Sequence, residues 1–265
     1  MEIAKQQIKI EHDLHIHTYL SSCCSEKQLQ IPKHIIPLAE NMGLKTIGFA
    51  DHLWTNPGIP ASDWYKPQDG SQITKLKQDL APLKTKLRVL VGCEADTAAP
   101  GKFSITAAYA KTLDYVLLSC SHIHLDDFEK PVSYAPRAIA EHLLKMFLSG
   151  VKSGIPDIIA HPFALFGQLG GLYQSVFSSI SSAELFDVFS TAAKNNVAIE
   201  LNWAAIGRLP PEEAERFVTT ARKAGCKFTF GSDAHGPAGQ QALMKMEPFI
   251  NKVGLTEKDI LPLAK

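Results

Sequence analysis

About seven times along this chain a short apolar run stops at a polar side chain, and a longer stretch with helical spacing follows. That alternation limits the fold more than any other feature. Continuous apolar runs read as strands buried on both faces, and helices between them make the sheet parallel. The runs are Ile8–His12, Thr46–Ala50, Arg88–Cys93, Tyr115–Ser119, Asp157–Ala160, Val197–Leu201 and Lys227–Phe230. Helices are expected over Lys33–Met42, Ser71–Lys86, Ala135–Gly150, Ala183–Asn195 and Pro211–Ala224, with closing helices over 238–249 and 256–264. Two stretches, Leu53–Gly70 and Phe163–Ser182, read as long loops over the mouth of the fold. No GxGxxG or phosphate-loop pattern occurs, so an α/β barrel is favoured over a doubly wound open sheet. With no linker and no repeat, residues 1–265 read as a single domain.

Barrels place their chemistry just past the C-terminal ends of their strands. Here those places hold Asp13-x-His15-x-His17, Asp51-His52, Glu94, His122, His161, and Asp233-x-His235. Each motif alone is a weak signal and more often a capped turn or a packed histidine. Six of them at successive strand ends converge, and imidazole with carboxylate is a donor set for zinc, iron or manganese. Residues two apart on extended chain share a face, so His15 and His17 point together, as do Asp233 and His235. His12, His34, His124 and His142 are assigned to structure, with His124 as the alternative to His122.

The charge balance narrows the partners. Lys plus Arg number 27 and Asp plus Glu number 27, which argues against broad capture of nucleic acid or an anionic membrane. The N-terminus lacks the apolar core of a secretory signal, and no run approaches the roughly 18 apolar residues of a membrane span. The five cysteines are scattered and odd in number, which fits a reducing cytoplasm rather than a disulfide framework.

With these residues in view, the sequence resembles the PHP (polymerase and histidinol phosphatase) superfamily, in particular its histidinol-phosphatase-like phosphoesterases. Asp13-Leu14-His15-Ile16-His17-Thr18 and Gly231-Ser232-Asp233-Ala234-His235 carry the resemblance, which runs from about Lys9 to His235. It implies a distorted (β/α)7 TIM-like barrel and two or three divalent metal ions (zinc, iron or manganese). His15, His17, Glu94 and Asp233 would hold the first ion, and Glu94, bridging, with His122 and His161 the second. His52 and His235 match two of the three histidines of a third position. The remaining histidine falls at Cys23, which leaves a thiolate ligand or an idle position as alternatives, with Cys24 within a loop shift.

The expected reaction is hydrolysis of a small phosphomonoester, histidinol phosphate or similar. Its nucleophile would be a metal-bridging hydroxide held at Glu94 and Asp233. Arg208 is the candidate phosphate partner, with a solvated loop cation as the other reading. Asp13, Asp51 and Asn202 are expected to support ligands without meeting metal, with a turn former as the other reading of Asp13. An amidohydrolase acting on an amide, lactone or base is the principal alternative, and a phosphodiesterase on short oligonucleotides the next.

Overall fold

The computed structural model describes residues 7–262. In chain order the strands are β1 (His12–Ile16), β2 (Thr46–Phe49), β3 (Arg88–Val91), β4 (Cys93–Ala99), β5 (Lys102–Phe103), β6 (Val116–Ser119), β7 (Ile158–Ala160), β8 (Ala198–Asn202) and β9 (Phe228–Gly231). They form two hydrogen-bonded groups, β1-β2-β3 and β5-β4-β6-β7-β8-β9, parallel except where β5 turns back on β4. Two isolated parallel bridges link the groups: Ile16, the last residue of β1, with Ala234 beyond β9, and His52 beyond β2 with Glu94 of β4. Among the described residues no helix is long and apolar enough to cross a membrane.

Side-chain alternation separates two layers. Leu117 on β6 joins Leu14, Ala50, Tyr115, Ile158, Ala160 and Ala198 in an inner cluster. Its neighbours Val116 and Leu118 face outward into a larger cluster with Ile139, Leu143 and Phe147 of the helix Pro136–Lys152. The helices Ser182–Lys194 and Pro211–Lys223 add Leu185, Phe189, Phe217 and Val218 to that outer layer. At the inner layer the Tyr115 hydroxyl donates to the Leu14 carbonyl at 2.7 Å, with the Phe49 carbonyl at 3.2 Å. Glycine makes room for this ring: a Cβ on Gly48 would lie 2.3 Å from the Tyr115 oxygen.

Several boundaries differ from the sequence expectation, each for a local reason. β1 runs through Asp13 and His15 instead of ending before them, because the Ser232 backbone N–H and the Glu200 carboxylate supply their polar partners. Its register against β2 slips between Asp13 and Ile16, and a bulge of that kind re-aims side chains. The run expected as one strand, Arg88–Cys93, breaks at Gly92 into β3, which pairs with β2, and β4, which pairs with β6 and runs through Glu94 to Ala99, since Glu94 and Asp96 both find imidazoles. The helix expected to reach Lys86 ends at Leu80, just before Pro82, which has no N–H to continue the hydrogen-bond ladder. Residues 238–249 are not one helix but Pro237–Ala242, a 3-10 turn Leu243–Met246 and Glu247–Lys252, the last restarting around Pro248. The closing segment 256–264 contains only the 3-10 turn Glu257–Asp259, and its final two positions lie outside the described residues. Leu53–Gly70 is a loop as expected, whereas Phe163–Ser182 contains a 3-10 turn (Gly167–Leu172), the helix Tyr173–Ser178 and the start of the next helix at Ser182.

Gly48→Ala is expected to cost about 1–3 kcal/mol, the range for forcing a methyl group into a filled interior. Urea unfolding measures it; an unchanged midpoint would show that the Tyr115 ring yields without cost.

Candidate metal centre

Glu94 is the centre of the site, 1 % exposed and facing different imidazoles with its two oxygens. Oε2 lies 3.4 Å from Nε2 of both His15 and His17 and 3.3 Å from His52 Nδ1. Oε1 lies 2.8 Å from His161 Nε2 and 3.7 Å from His122 Nε2. The Asp233 Oδ1 atom closes the first set, 3.1 Å from His17 Nε2 and 3.5 Å from His15 Nε2. The donor atoms of His15, His17, Glu94 and Asp233 all fall within 4.8 Å of one another. Those of His52, Glu94 and His122 do the same, as do those of His17, Cys23 and His52. Four metal-ligating side chains of the first group within that distance fit a divalent ion.

The outer nitrogens of these rings are engaged, which turns the inner ones toward the centre. His15 Nδ1 pairs with Glu200 Oε1 at 2.7 Å, and His122 Nδ1 with Asp96 Oδ1 at 2.7 Å. His17 Nδ1 meets the Ser21 hydroxyl at 3.0 Å, which in turn donates to Asp51 Oδ1 at 2.7 Å. His161 Nδ1 meets the Ser121 hydroxyl at 3.3 Å. Glu200 does a second job. Its Oε2 accepts the His161 backbone N–H at 2.6 Å, where the backbone has φ 27°. Asp233 also has positive φ, 54°, and its N–H donates to the His15 carbonyl at 2.8 Å. Both residues thus sit in backbone that non-glycine residues rarely adopt, held there by specific hydrogen bonds. Gly231 leaves space for the Glu200–His15 pair, since its Cβ would fall 1.9 Å from Glu200 Oε1.

Of the residues expected to support ligands, Asp51 reaches His17 through Ser21 and also binds the Thr18 backbone N–H and hydroxyl. Asp13 touches no imidazole. It accepts the backbone N–H groups of Ser232 and His15, tying β1 to the loop after β9, and burial raises its carboxyl to about 7. Asn202 caps the short helix Trp203–Ile206 through the Ala205 N–H and contacts no ligand. Arg208 corrects the expectation most. Its guanidinium donates to the carbonyls of Leu165 and Gly170 at 2.9 and 2.8 Å and lies over the Tyr173 ring, so it pins a loop instead of lining the cleft.

Asp96, Glu200, Ser21 and Ser121 were not singled out from sequence. Glu94-x-Asp96 shares a strand face by simple alternation, and Glu200 is a carboxylate inside the apolar run Val197–Leu201. Those were the available signals.

The cleft above these residues has a volume of about 150 Å³. Trp64, Leu125 and Phe166 form its apolar wall, and His124 borders it beside His122. The Trp64 ring stands edge-on to His52, and Phe166 stands edge-on to His161 and His122. Trp54 and Tyr65 are buried behind this wall with Phe128.

Burial and charge oppose each other across the cluster. Burial alone would lower His17, but Asp233 and Glu94 outweigh it and raise the imidazole to about 9. His15 is likewise raised, against burial, by Glu200, Asp233 and Glu94. Burial would raise the carboxyls of Glu94 and Asp233, yet the surrounding histidines hold both well below the usual range. Without metal, protonated imidazoles are therefore the counter-ions of the buried carboxylates.

A sequence profile of the PHP domain family matches residues 13–204. No curated protein sequence matches the chain. Among solved structures, histidinol phosphate phosphatase from Lactococcus lactis, crystallised with zinc, L-histidinol and phosphate, superposes with a TM-score of 0.59 at 18% identity, covering 93% of this chain and 94% of that one. A putative histidinol phosphatase from Listeria monocytogenes gives 0.59 at 15% identity, covering 86% and 96%. At these identities the likeness is one of fold.

Two measurements test the centre. Ligation must displace protons from His17, so metal affinity should rise with pH from neutral toward about 9. Calorimetric titration in buffers of different ionisation enthalpy should show proton release, and buffer-independent heats would contradict it. Glu200→Gln leaves one amide NH2 facing either His15 Nδ1 or the His161 N–H, both of which donate to the native carboxylate. Metal affinity should fall roughly 10–100-fold; an unchanged dissociation constant would remove Glu200 from the site.

Proposed function

The chain belongs to the PHP domain family, and on that premise we propose that it is a metal-dependent phosphoesterase that hydrolyses a small phosphomonoester. The observation that carries this reading is the division of Glu94 between two sets of imidazoles, one oxygen toward His15, His17 and His52, the other toward His161 and His122. A carboxylate so placed suits a bridge between two ions. His15, His17, Glu94 and Asp233 would hold one, and Glu94, His122 and His161 the other. Zinc, iron and manganese all accept these donors. We read the two strand groups as one distorted seven-position barrel, a single domain whose strand ends bring these ligands together.

Divalent ions held there would acidify water and neutralise phosphoryl oxygens, the two demands of attack on a phosphate dianion. The protein's own groups do the positioning. Glu94 and Asp233 fix the negative ends of the donor set, and Glu200, Asp96 and Ser21 keep each imidazole from turning. Trp64, Leu125 and Phe166 exclude water from the bound phosphoryl group and strengthen its electrostatic contacts. With Arg208 occupied by two carbonyls, the positive charge that recognises phosphate comes from the metal ions. Histidinol phosphate is the first substrate to examine, because the Lactococcus lactis structure contains L-histidinol and phosphate. The five free cysteines accord with a cytoplasmic setting.

The protein supplied with zinc or manganese is expected to release phosphate from a panel of monoesters. Asp233→Asn should lower kcat/KM by at least on the order of 10²-fold while leaving the fold intact by circular dichroism. Hydrolysis of amides or lactones in place of phosphate esters would overturn the reading.

A further inference from the structure

The loop Leu53–Gly70 walls one side of the cleft with Trp64, and the next side chain along it passes behind that wall. Tyr65 is fully buried, its ring packed by Trp64, Trp54 and Phe128 with centroids 4.5, 4.6 and 6.2 Å away. Its hydroxyl donates to Asp96 Oδ2 at 2.8 Å. Burial and the adjacent Asp96 carboxylate raise the phenol well above its ordinary value, so it remains an O–H donor. Asp96 is also fully buried, and its other oxygen, Oδ1, pairs with His122 Nδ1 at 2.7 Å. Besides the phenol, Oδ2 has His52 Nδ1 at 3.6 Å, and that same nitrogen lies 3.3 Å from Glu94 Oε2. His52 thus stands between two buried carboxylates. A buried carboxylate oxygen that loses its donor takes the nearest replacement, because an unmet buried charge is costly. For Oδ2 that replacement is His52. The phenol hydrogen occupies Oδ2 and leaves His52 to Glu94.

We propose that Tyr65 is a positioning residue of the metal centre: through Asp96 it fixes the His122 ring and keeps His52 on Glu94. It acts on one half of the cluster, the His52, Glu94 and His122 group. The other half, His15 and His17 with Asp233, has its own supports in Glu200 and Ser21. The loop therefore does more than wall the cleft: Trp64 faces the ligand space, and its neighbour sets the orientation of the imidazoles beneath. The inference rests on the metal-centre reading and is independent of the substrate.

Zinc is the probe, titrated into the intact protein in competition with a chromophoric chelator to give stepwise dissociation constants. His122→Ala identifies the step that belongs to Glu94, His122 and His161. Tyr65→Phe keeps the ring and its packing and removes only the hydroxyl. In that variant the His122 step should weaken roughly 10–100-fold, the range for losing an outer partner of a ligand, while the other step holds. Added to Asp96→Asn, the same change should cost nothing further, since the phenol acts through that carboxylate. Asn56→Ala removes a different anchor of the same loop, its hydrogen bond to the Phe103 carbonyl, and should leave both steps unchanged. Equal weakening of both steps in Tyr65→Phe, or a matching loss in Asn56→Ala, would show a loop that only holds the fold together and would overturn the proposal. Unchanged constants in Tyr65→Phe overturn it as well. A native chain that binds no zinc overturns both this inference and the metal-centre reading.

Discussion

A carboxylate buried at the centre of a protein must be matched by positive charge or the fold does not tolerate it. Glu94 imposes that condition here, and the arrangement around it follows. Five imidazoles converge on its two oxygens, and they reach it from the ends of four different strands or the turns that follow them. Those histidines then need their own orientation, which brings in Glu200, Asp96 and the Ser21–Asp51 pair. The cluster is thus a set of nested charge requirements; protonated histidine meets the innermost one, and the same donors could meet it with a divalent ion.

The nesting explains why some small residues are where they are. Gly231 could not carry a side chain without striking Glu200, and Glu200 cannot move without releasing both His15 and the strained His161 backbone. Positive φ at His161 and Asp233 costs of order 1–3 kcal/mol each and persists because neighbouring strands hold both residues. The ligands are rigid because the sheet is, and the sheet is rigid because helix side chains such as Phe147, Phe189 and Phe217 fill its outer face.

The strand pattern and the gathering of polar side chains at one place were legible because they depend on local alternation and on residue types with few other uses at strand ends. His15, His17, His52, Glu94, His122, His161, Asp233 and His235 all lie around one centre. What was not legible depended on where a side chain points. Arg208 and Asn202 lie at the right strand exit, yet Arg208 donates to the backbone of a neighbouring loop and Asn202 accepts the Ala205 N–H of the helix it caps. Asp96 and Glu200 were hidden because a carboxylate within a strand has no local signature; its partner comes from a different strand. Boundaries failed where tertiary contacts override propensity, as in β1, which extends through Asp13 because Ser232 across the sheet satisfies it.

The inner layer under the site has a further consequence. Leu14, Tyr115, Leu117, Ile158, Ala160 and Ala198 pack as a solid floor, and the Tyr115 hydroxyl staples it to the Leu14 backbone. That floor separates the ligand cleft from a cavity of about 550 Å³ at the opposite end, which Leu14, Tyr115 and Ile158 also border. A vessel with a sealed bottom empties in the reverse order of its filling. Whatever binds deepest, against Glu94 and Asp233, must depart last through the mouth between Trp64 and Phe166. Were the chain to hold phosphate against Glu94 and Asp233, the alcohol would leave first, and inorganic phosphate, leaving second, would be the product that blocks the next turnover.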